Sequence, residues 1–139
     1  MITIRRARVE DRERLYELLC QFVWSTTPDR TAFETNFPMV LEDGNTHVRV
    51  ADEGGVVLGY SLDVVQWTFY ANGPIVLLQE LMVDPARRGE GIGGKLVEEM
   101  VRQSRTAGAR EITVPTRRAK EYYPRFGFTE IAGYFKLKL

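Results

Sequence analysis

The feature that most constrains the fold is the junction Val83-Asp84-Pro85-Ala86-Arg87-Arg88-Gly89-Glu90-Gly91-Ile92-Gly93-Gly94-Lys95. On its left, residues 75–83 form a run rich in branched apolar side chains and read as a strand. On its right, Ile92, Leu96, Met100 and Ser104 recur every four residues, with Val97 and Val101 beside them. That is the stripe of a helix packed on a sheet. A glycine-rich turn opening a helix presents backbone N–H groups with no Cβ in the way. The helix N-terminus adds roughly half a positive charge. Together they form a site for phosphate or pyrophosphate.

Three glycine patterns overlap here. Gly89-x-Gly91-x-x-Gly94 fits the dinucleotide fingerprint, with Glu111 near the distance of a ribose contact. That fingerprint directly follows a first strand and opens a large doubly wound sheet. Here Asp84 to Arg88 intervene, and too little chain follows Gly94 for such a domain. Gly89-(x4)-Gly94-Lys95 also resembles a P-loop, but Leu96 stands where a hydroxyl would bind magnesium. The third pattern is Arg88-x-x-Gly91-x-Gly93, preceded by Val83-Asp84-Pro85.

This third pattern resembles the acetyl-CoA signature of the GCN5-related N-acetyltransferase (GNAT) superfamily. Downstream, Ala119-(x3)-Tyr123-(x3)-Gly127-Phe128 is similar to that family's second landmark, a tyrosine on a helix followed by Gly-Phe. Upstream, Ile4-Arg5-Arg6-Ala7-(x3)-Asp11 resembles its usual first strand and helix. Thr116 stands seven residues before the tyrosine, where many members carry an Asn that touches the pantetheine arm.

Length and composition agree with one domain, residues 1–139. The chain has 19 Lys plus Arg against 19 Asp plus Glu, so no basic excess points to nucleic acid. Cys20 is the only cysteine and excludes an internal disulfide. Among Leu18, Leu19 and Phe22 it reads as a buried small hydrophobe. No apolar run approaches the roughly 18 residues of a membrane span, and no signal-peptide core is present. The expected location is the cytoplasm. His47 has no Cys or His companion, so no metal is expected.

Residues 3–7 read as a strand. Asp11 is placed to cap a helix whose apolar face is Leu15, Leu18, Leu19, Phe22 and Val23. A second helix begins near Arg30, and Pro38 is expected to kink or end it. Strands come next at residues 46–52 and 56–66, joined by a turn at Glu53-Gly54-Gly55. The strand ending at Val83 leads to a helix over about 91–107, stopped by Gly108. A strand at 111–114, a short helix at 117–123, and strands at 128–131 and 134–139 complete the chain. The fold class is α/β (α+β). The resemblance implies a mixed, strongly twisted sheet of about seven strands flanked by about four helices.

The resemblance also implies the site. The fourth and fifth strands splay apart and the pantetheine arm fills the gap, pairing with the fourth strand as an added strand. By position, Leu81, Met82 and Val83 make those contacts, and Thr116 faces the arm. Arg88, Gly89, Glu90, Gly91, Ile92, Gly93, Gly94 and Lys95 cradle the pyrophosphate. By charge alone, Arg117 and Arg118 read either as further cations for the cofactor or as a solvated helix start. Tyr123 matches the family tyrosine, is assigned to the cofactor, and is the candidate acid for the leaving thiolate; Tyr122 points elsewhere on a helix and serves as its control.

Acetyl transfer to an amine needs a neutral amine, but an alkyl ammonium has a pKa near ~10.4. Glu80, a carboxylate inside an apolar strand, is the candidate base or ammonium binder, since burying it unpaired is costly. The competing reading of Glu80 is a structural ion pair or a residue at the rim. Strand alternation puts Gln79 on the opposite side of the sheet. The N–H of Met82 or Val83 is the expected oxyanion donor. Trp24, Phe33, Phe37, Trp67, Phe69 and Tyr70 are candidates for the acceptor pocket, with Asp29, Glu34 or Asp63 as charge partners.

The expected function is acetyl-CoA-dependent N-acetyl transfer to a small-molecule or peptide amine by direct attack in a ternary complex. The alternative is a non-catalytic acyl-CoA-binding regulatory module of the same fold. No nucleic acid or membrane partner is expected, and a homodimer is compatible with either reading.

Overall fold

The computed structural model describes residues 1–22, 24–116, 121–131 and 133–139. Five strands form one sheet in chain order: β1 (Ile2–Arg6), β2 (Thr46–Glu53), β3 (Val56–Trp67), β4 (Pro74–Val83) and β5 (Ile112–Thr113). Neighbours from β1 to β4 are antiparallel, and β5 runs parallel to β4. Helices α1 (Arg12–Cys20) and α2 (Arg30–Glu42) connect β1 to β2, and α3 (Ile92–Thr106) connects β4 to β5. The β2–β3 turn runs through Gly54 and Gly55, both at positive φ, as a tight hairpin requires.

The helices cover opposite faces. Leu15, Leu18 and Phe37 of α1 and α2 pack on Val50, Tyr60 and Met82. Ile92, Leu96, Val97 and Met100 of α3 pack on Ala51, Leu58, Val76 and Leu78. Each such side chain taken fully out of water contributes about 1.5–3 kcal/mol, so these two layers hold the sheet between them.

One irregularity in β4 decides where its side chains go. β3 pairs Leu62 with Glu80 and then Asp63 with Leu78, which leaves Gln79 as an extra residue. This is a β-bulge. Val76 and Leu78 pack under α3, whereas Met82 packs under α1 and α2. The bulge therefore reverses which parity of residue faces which layer. In a regular strand Glu80 would share the face of Leu78 beneath α3. Here it joins Met82 on the other face. The simple alternation that set Gln79 opposite Glu80 breaks at this residue, and Gln79 is exposed.

Several expectations are corrected. The described residues form five strands and three α-helices, not about seven and about four. Residues 128–131 and 133–139 carry no strand pairing, and Ile131, Phe135, Leu137 and Leu139 are exposed. Alternating Phe135, Lys136, Leu137, Lys138 and Leu139 is a strand pattern, but a strand needs an edge, and β5 offers only two paired residues. The helix expected at 117–123 falls largely on residues 117–120, outside the described residues. The next described element is one 3-10 turn, Tyr123–Phe126, ended by Gly127 at φ 93°. Val23, expected on the first helix, also lies outside the described residues.

Asp11 does not cap α1 with its side chain. It accepts from the Arg5 guanidinium at 2.8 and 2.9 Å and from the Arg8 N–H at 2.7 Å, tying β1 to the start of α1. Cys20 is exposed rather than buried. It lies about 200° around the helix from buried Leu18, so it turns outward. α2 continues four residues past Pro38, because Phe37 and Leu41 on either side of it pack into the core.

Beneath α3 lies a buried ion pair. Arg49 and Asp63 are 3% and 1% exposed and bond each other, and Gln103 Oε1 accepts from Arg49 at 2.8 Å. Asp63→Asn would leave the guanidinium buried without its counter-charge. Urea unfolding should show a loss of about 3–5 kcal/mol, while the double variant Arg49→Met with Asp63→Leu recovers much of it. Equal losses in the two proteins would assign the cost to packing and not to the uncompensated charge.

Candidate active site

β4 and β5 pair only at Val76 with Ile112 and Leu77 with Thr113. Past Leu77 the chains part, and a cleft of about 1730 Å³ opens between residues 78–83 on one wall and Val114, Pro115 and Thr116 on the other. On that side residues 78–83 have no strand beside them among the described residues. Their outward N–H and C=O groups face the cleft, where the Val83 carbonyl accepts from Arg88 Nε at 3.4 Å, and buried backbone groups of this kind need a partner. Leu81, Met82, Val83 and Thr116 all line this space.

The start of α3 closes one end of the cleft. Gly89 and Gly91 hold φ of 84° and 81°, the left-handed region that glycine occupies without strain. Gly91 is the N-cap, and the Lys95 N–H bonds its carbonyl at 3.1 Å. The N–H groups of Ile92, Gly93 and Gly94 are left without intrahelical acceptors. All residues from Arg88 to Lys95 line the cleft. Arg87 is neutralised by Glu90 at 2.9 Å and Glu53 at 3.1 Å, and it holds the Glu90 carboxyl below its ordinary range. Arg88 and Lys95 are exposed and are not in ion pairs among the described residues. The structure thus presents a loop with two available cations, while the Glu90 side chain is engaged by Arg87. Arg117 and Arg118 lie outside the described residues.

Glu80 is half-buried on the cleft wall. Burial pushes its carboxyl above the ordinary range, and a hydrogen bond from the Tyr60 hydroxyl at 2.6 Å pulls the other way without cancelling it. No ion pair reaches Glu80 among the described residues. The charged partner that a structural role would require is therefore not on its described neighbours.

Tyr123 is 8% exposed, and it too lines the cleft. Its ring packs edge-on against Tyr122 and Phe128. Desolvation, with a contribution from Tyr122, pushes the phenol up to about 12. It stays protonated through neutral pH, so it can supply a proton there but cannot act as a base. Tyr122 does not point away. Its hydroxyl lies where a Cβ on Gly93 would come within 2.7 Å, so it abuts the first turn of α3, and it lines the same cleft. The two tyrosines precede or open a 3-10 turn, and neither sits on the longer helix that would have separated their directions.

The expected acceptor pocket is revised. Trp24 lines the cleft, joined by Phe22, Ser25, Tyr134 and Lys136. Phe33 and Phe37 belong to the core under α2. Trp67, Phe69 and Tyr70 are exposed at the β3–β4 turn, away from the cleft lining. Asp29 caps α2, Glu34 pairs with Arg30, and Asp63 is spent on Arg49. Phe22, Lys136 and Tyr60 carry no signal of a site in the sequence. Phe22 and Tyr60 read as ordinary core aromatics, and only the register across the bulge brings Tyr60 to Glu80.

Gly93 offers a direct check of this geometry. Gly93→Ala should destabilise the wild type, because the new methyl meets the packed Tyr122 hydroxyl. In a Tyr122→Phe background the hydroxyl is gone, and Val83 Cγ2 at 3.6 Å and ring carbon at 3.7 Å remain, both at ordinary contact distance. The same change should then be neutral or stabilising, since Ala outranks Gly in a helix by about 1 kcal/mol. A double-mutant cycle on melting with no coupling would contradict this placement of Tyr122.

Residues 44–130 match the family described as acetyltransferase (GNAT) domain. An aminoalkylphosphonate N-acetyltransferase of Salmonella typhimurium (strain LT2) is 33% identical over 132 residues, covering 91% of this chain and 84% of the relative. Among solved structures, a transcriptional regulator from Bacillus halodurans C-125 superposes with a TM-score of 0.90 at 21% identity, with both chains covered in full. An aminoglycoside N-acetyltransferase solved in complex with CoA gives 0.85 at 20% identity, covering 100% of this chain and 95% of that one. The open-edged sheet, the glycine-rich start of α3 and these likenesses agree: the chain belongs to the GNAT acetyltransferase family and is an N-acetyltransferase.

Proposed function

We propose that the chain moves the acetyl group of acetyl-CoA to a primary amine by direct attack within a ternary complex. The observation that carries this reading is that the open edge of β4 and the glycine-rich start of α3 face one cleft. Amide groups of the pantetheine arm add to the edge at Leu81, Met82 and Val83 as a short strand. Thr116 contacts the arm from the opposite wall. The N–H groups from Arg88 to Lys95 hold the pyrophosphate, with the Arg88 and Lys95 side chains as counter-charges.

Glu80 accepts a proton from the incoming ammonium, directly or through one water, and frees the lone pair that attacks. As the C–N bond forms and the C–S bond breaks, the N–H of Val83 stabilises the charge on the carbonyl oxygen, because the ladder register turns the Met82 N–H toward Tyr60 of β3. Tyr123, protonated at neutral pH, donates toward the departing sulfur. The net balance is one amide, one thiol and one released proton for each ammonium consumed.

A small amine fits the part of the cleft lined by Phe22, Trp24, Ser25 and Tyr134. The name of the Salmonella relative points to an acceptor that carries a phosphonate. Lys136, whose Nζ bonds Ser25 Oγ at 3.0 Å, is a cation there able to meet such a group.

Acetyl-CoA should raise the melting temperature, and Gly91→Val should abolish the rise, because a β-branched residue is strained at φ 81° and fills the approach to the N–H groups. Tyr123→Phe should lower turnover at least about tenfold with cofactor affinity little changed. Unaltered stabilisation of Gly91→Val by acetyl-CoA would remove the loop from the site.

A further inference from the structure

Tyr60 and Glu80 are diagonal neighbours across β3 and β4. Tyr60 is paired with Met82, and Glu80 with Leu62, on the face under α1 and α2. The Tyr60 ring is packed among Leu15, Leu18, Phe37 and Met82 and is 4% exposed. In an interior of ordinary density such a ring does not change rotamer without opening the core. Its hydroxyl donates to Glu80 Oε1 at 2.6 Å. Other ionisable groups on the surrounding elements are Cys20 on α1, Arg87, Arg88, Glu90, Lys95 and Glu98 at the loop and start of α3, Tyr122, Tyr123 and Arg125 after β5, and Lys136 on the tail. None of them bonds Glu80. Oε1 is therefore committed, and Oε2 has no hydrogen bond among the described residues.

We infer that Tyr60 is a positioning residue of the active site: it fixes Oε1, so that Oε2 is the oxygen that takes the proton from the acceptor. The inference rests on the reading of Glu80 as proton acceptor. A second consequence is electrostatic. Burial favours the neutral carboxylic acid, whereas a donor on Oε1 favours the carboxylate. Tyr60 opposes the burial and keeps the base ionised to lower pH than its surroundings alone would allow.

The base works when deprotonated, so kcat/KM falls as pH drops through the Glu80 pKa. Tyr60→Phe removes the donor and keeps the ring, so the acid limb should move to higher pH. A hydrogen bond to a charged group is worth enough to move it by about one unit, which is an about tenfold loss on the limb and none on the plateau. Replacing Tyr60 with a fluorinated tyrosine, whose phenol is a stronger donor, should move the limb the other way. Acetyl-CoA affinity should be unchanged in both. A carboxyl NMR titration of Glu80 reads the same shifts without turnover, and thermal melting verifies that each variant is folded.

Glu80→Gln separates the two levels. If it retains the wild-type acid limb, Glu80 is not the base, and the proposed mechanism fails with this inference. If Glu80→Gln removes the limb while neither Tyr60 variant moves it or the NMR titration, Tyr60 is structural and only this inference is overturned.

Discussion

The rest of the structure depends on β4 losing its neighbour halfway along its length. Two residue pairs join it to β5, and beyond them no strand among the described residues lies beside it on that side. An open edge in a protein interior is a set of unmet hydrogen bonds, which natural sheets pair, cover or charge. Here the edge opens into a cleft that ends at the unpaired N–H groups of α3. One ligand with amide groups in its arm and phosphates at its end satisfies both. The proposed cofactor is that ligand, and its placement rests on backbone geometry more than on any single side chain.

The charged groups divide between the two faces. Under α3 Arg49 and Asp63 form a buried pair, with Gln103 accepting from Arg49 and His47 Nδ1 3.4 Å from the second Asp63 oxygen. On the other face the bulge at Gln79 brings Glu80 out with a neutral donor as its partner. A carboxylate paired with a guanidinium would be held in its charged form at all physiological pH. At Glu80 burial raises the affinity for protons and the phenol offsets this only in part, which suits the proton-accepting role proposed for it. At the loop, Arg87 is cancelled by two carboxylates, which leaves Arg88 and Lys95 to balance an anion.

The sequence made the central unit legible. Branched apolar residues before Val83, glycines, and a four-residue apolar spacing after Ile92 specify strand, turn and helix with one meaning each, and α3 spans Ile92–Thr106 accordingly. Three things were not legible. The bulge depends on the register with β3, which no pattern within β4 records, so the face of Glu80 and its bond to Tyr60 could not be read. The tail alternates like a strand, yet pairing depends on an edge supplied by β5, and that strand is two residues long. Aromatic residues are equally at home in a core, on a surface or in a pocket, which is why the sequence does not separate Trp24, which lines the cleft, from Phe33 and Phe37 in the core and Trp67 on the surface.

The central claim is that an added strand fills the open edge of β4. Amide hydrogen exchange measured with and without acetyl-CoA tests it most directly, because exchange reports on individual backbone hydrogen bonds. Residues 78–83 and the first turn of α3 should gain protection on binding, while β1 and β2 stay as they were. Binding that leaves the exchange of residues 78–83 unchanged would contradict the account.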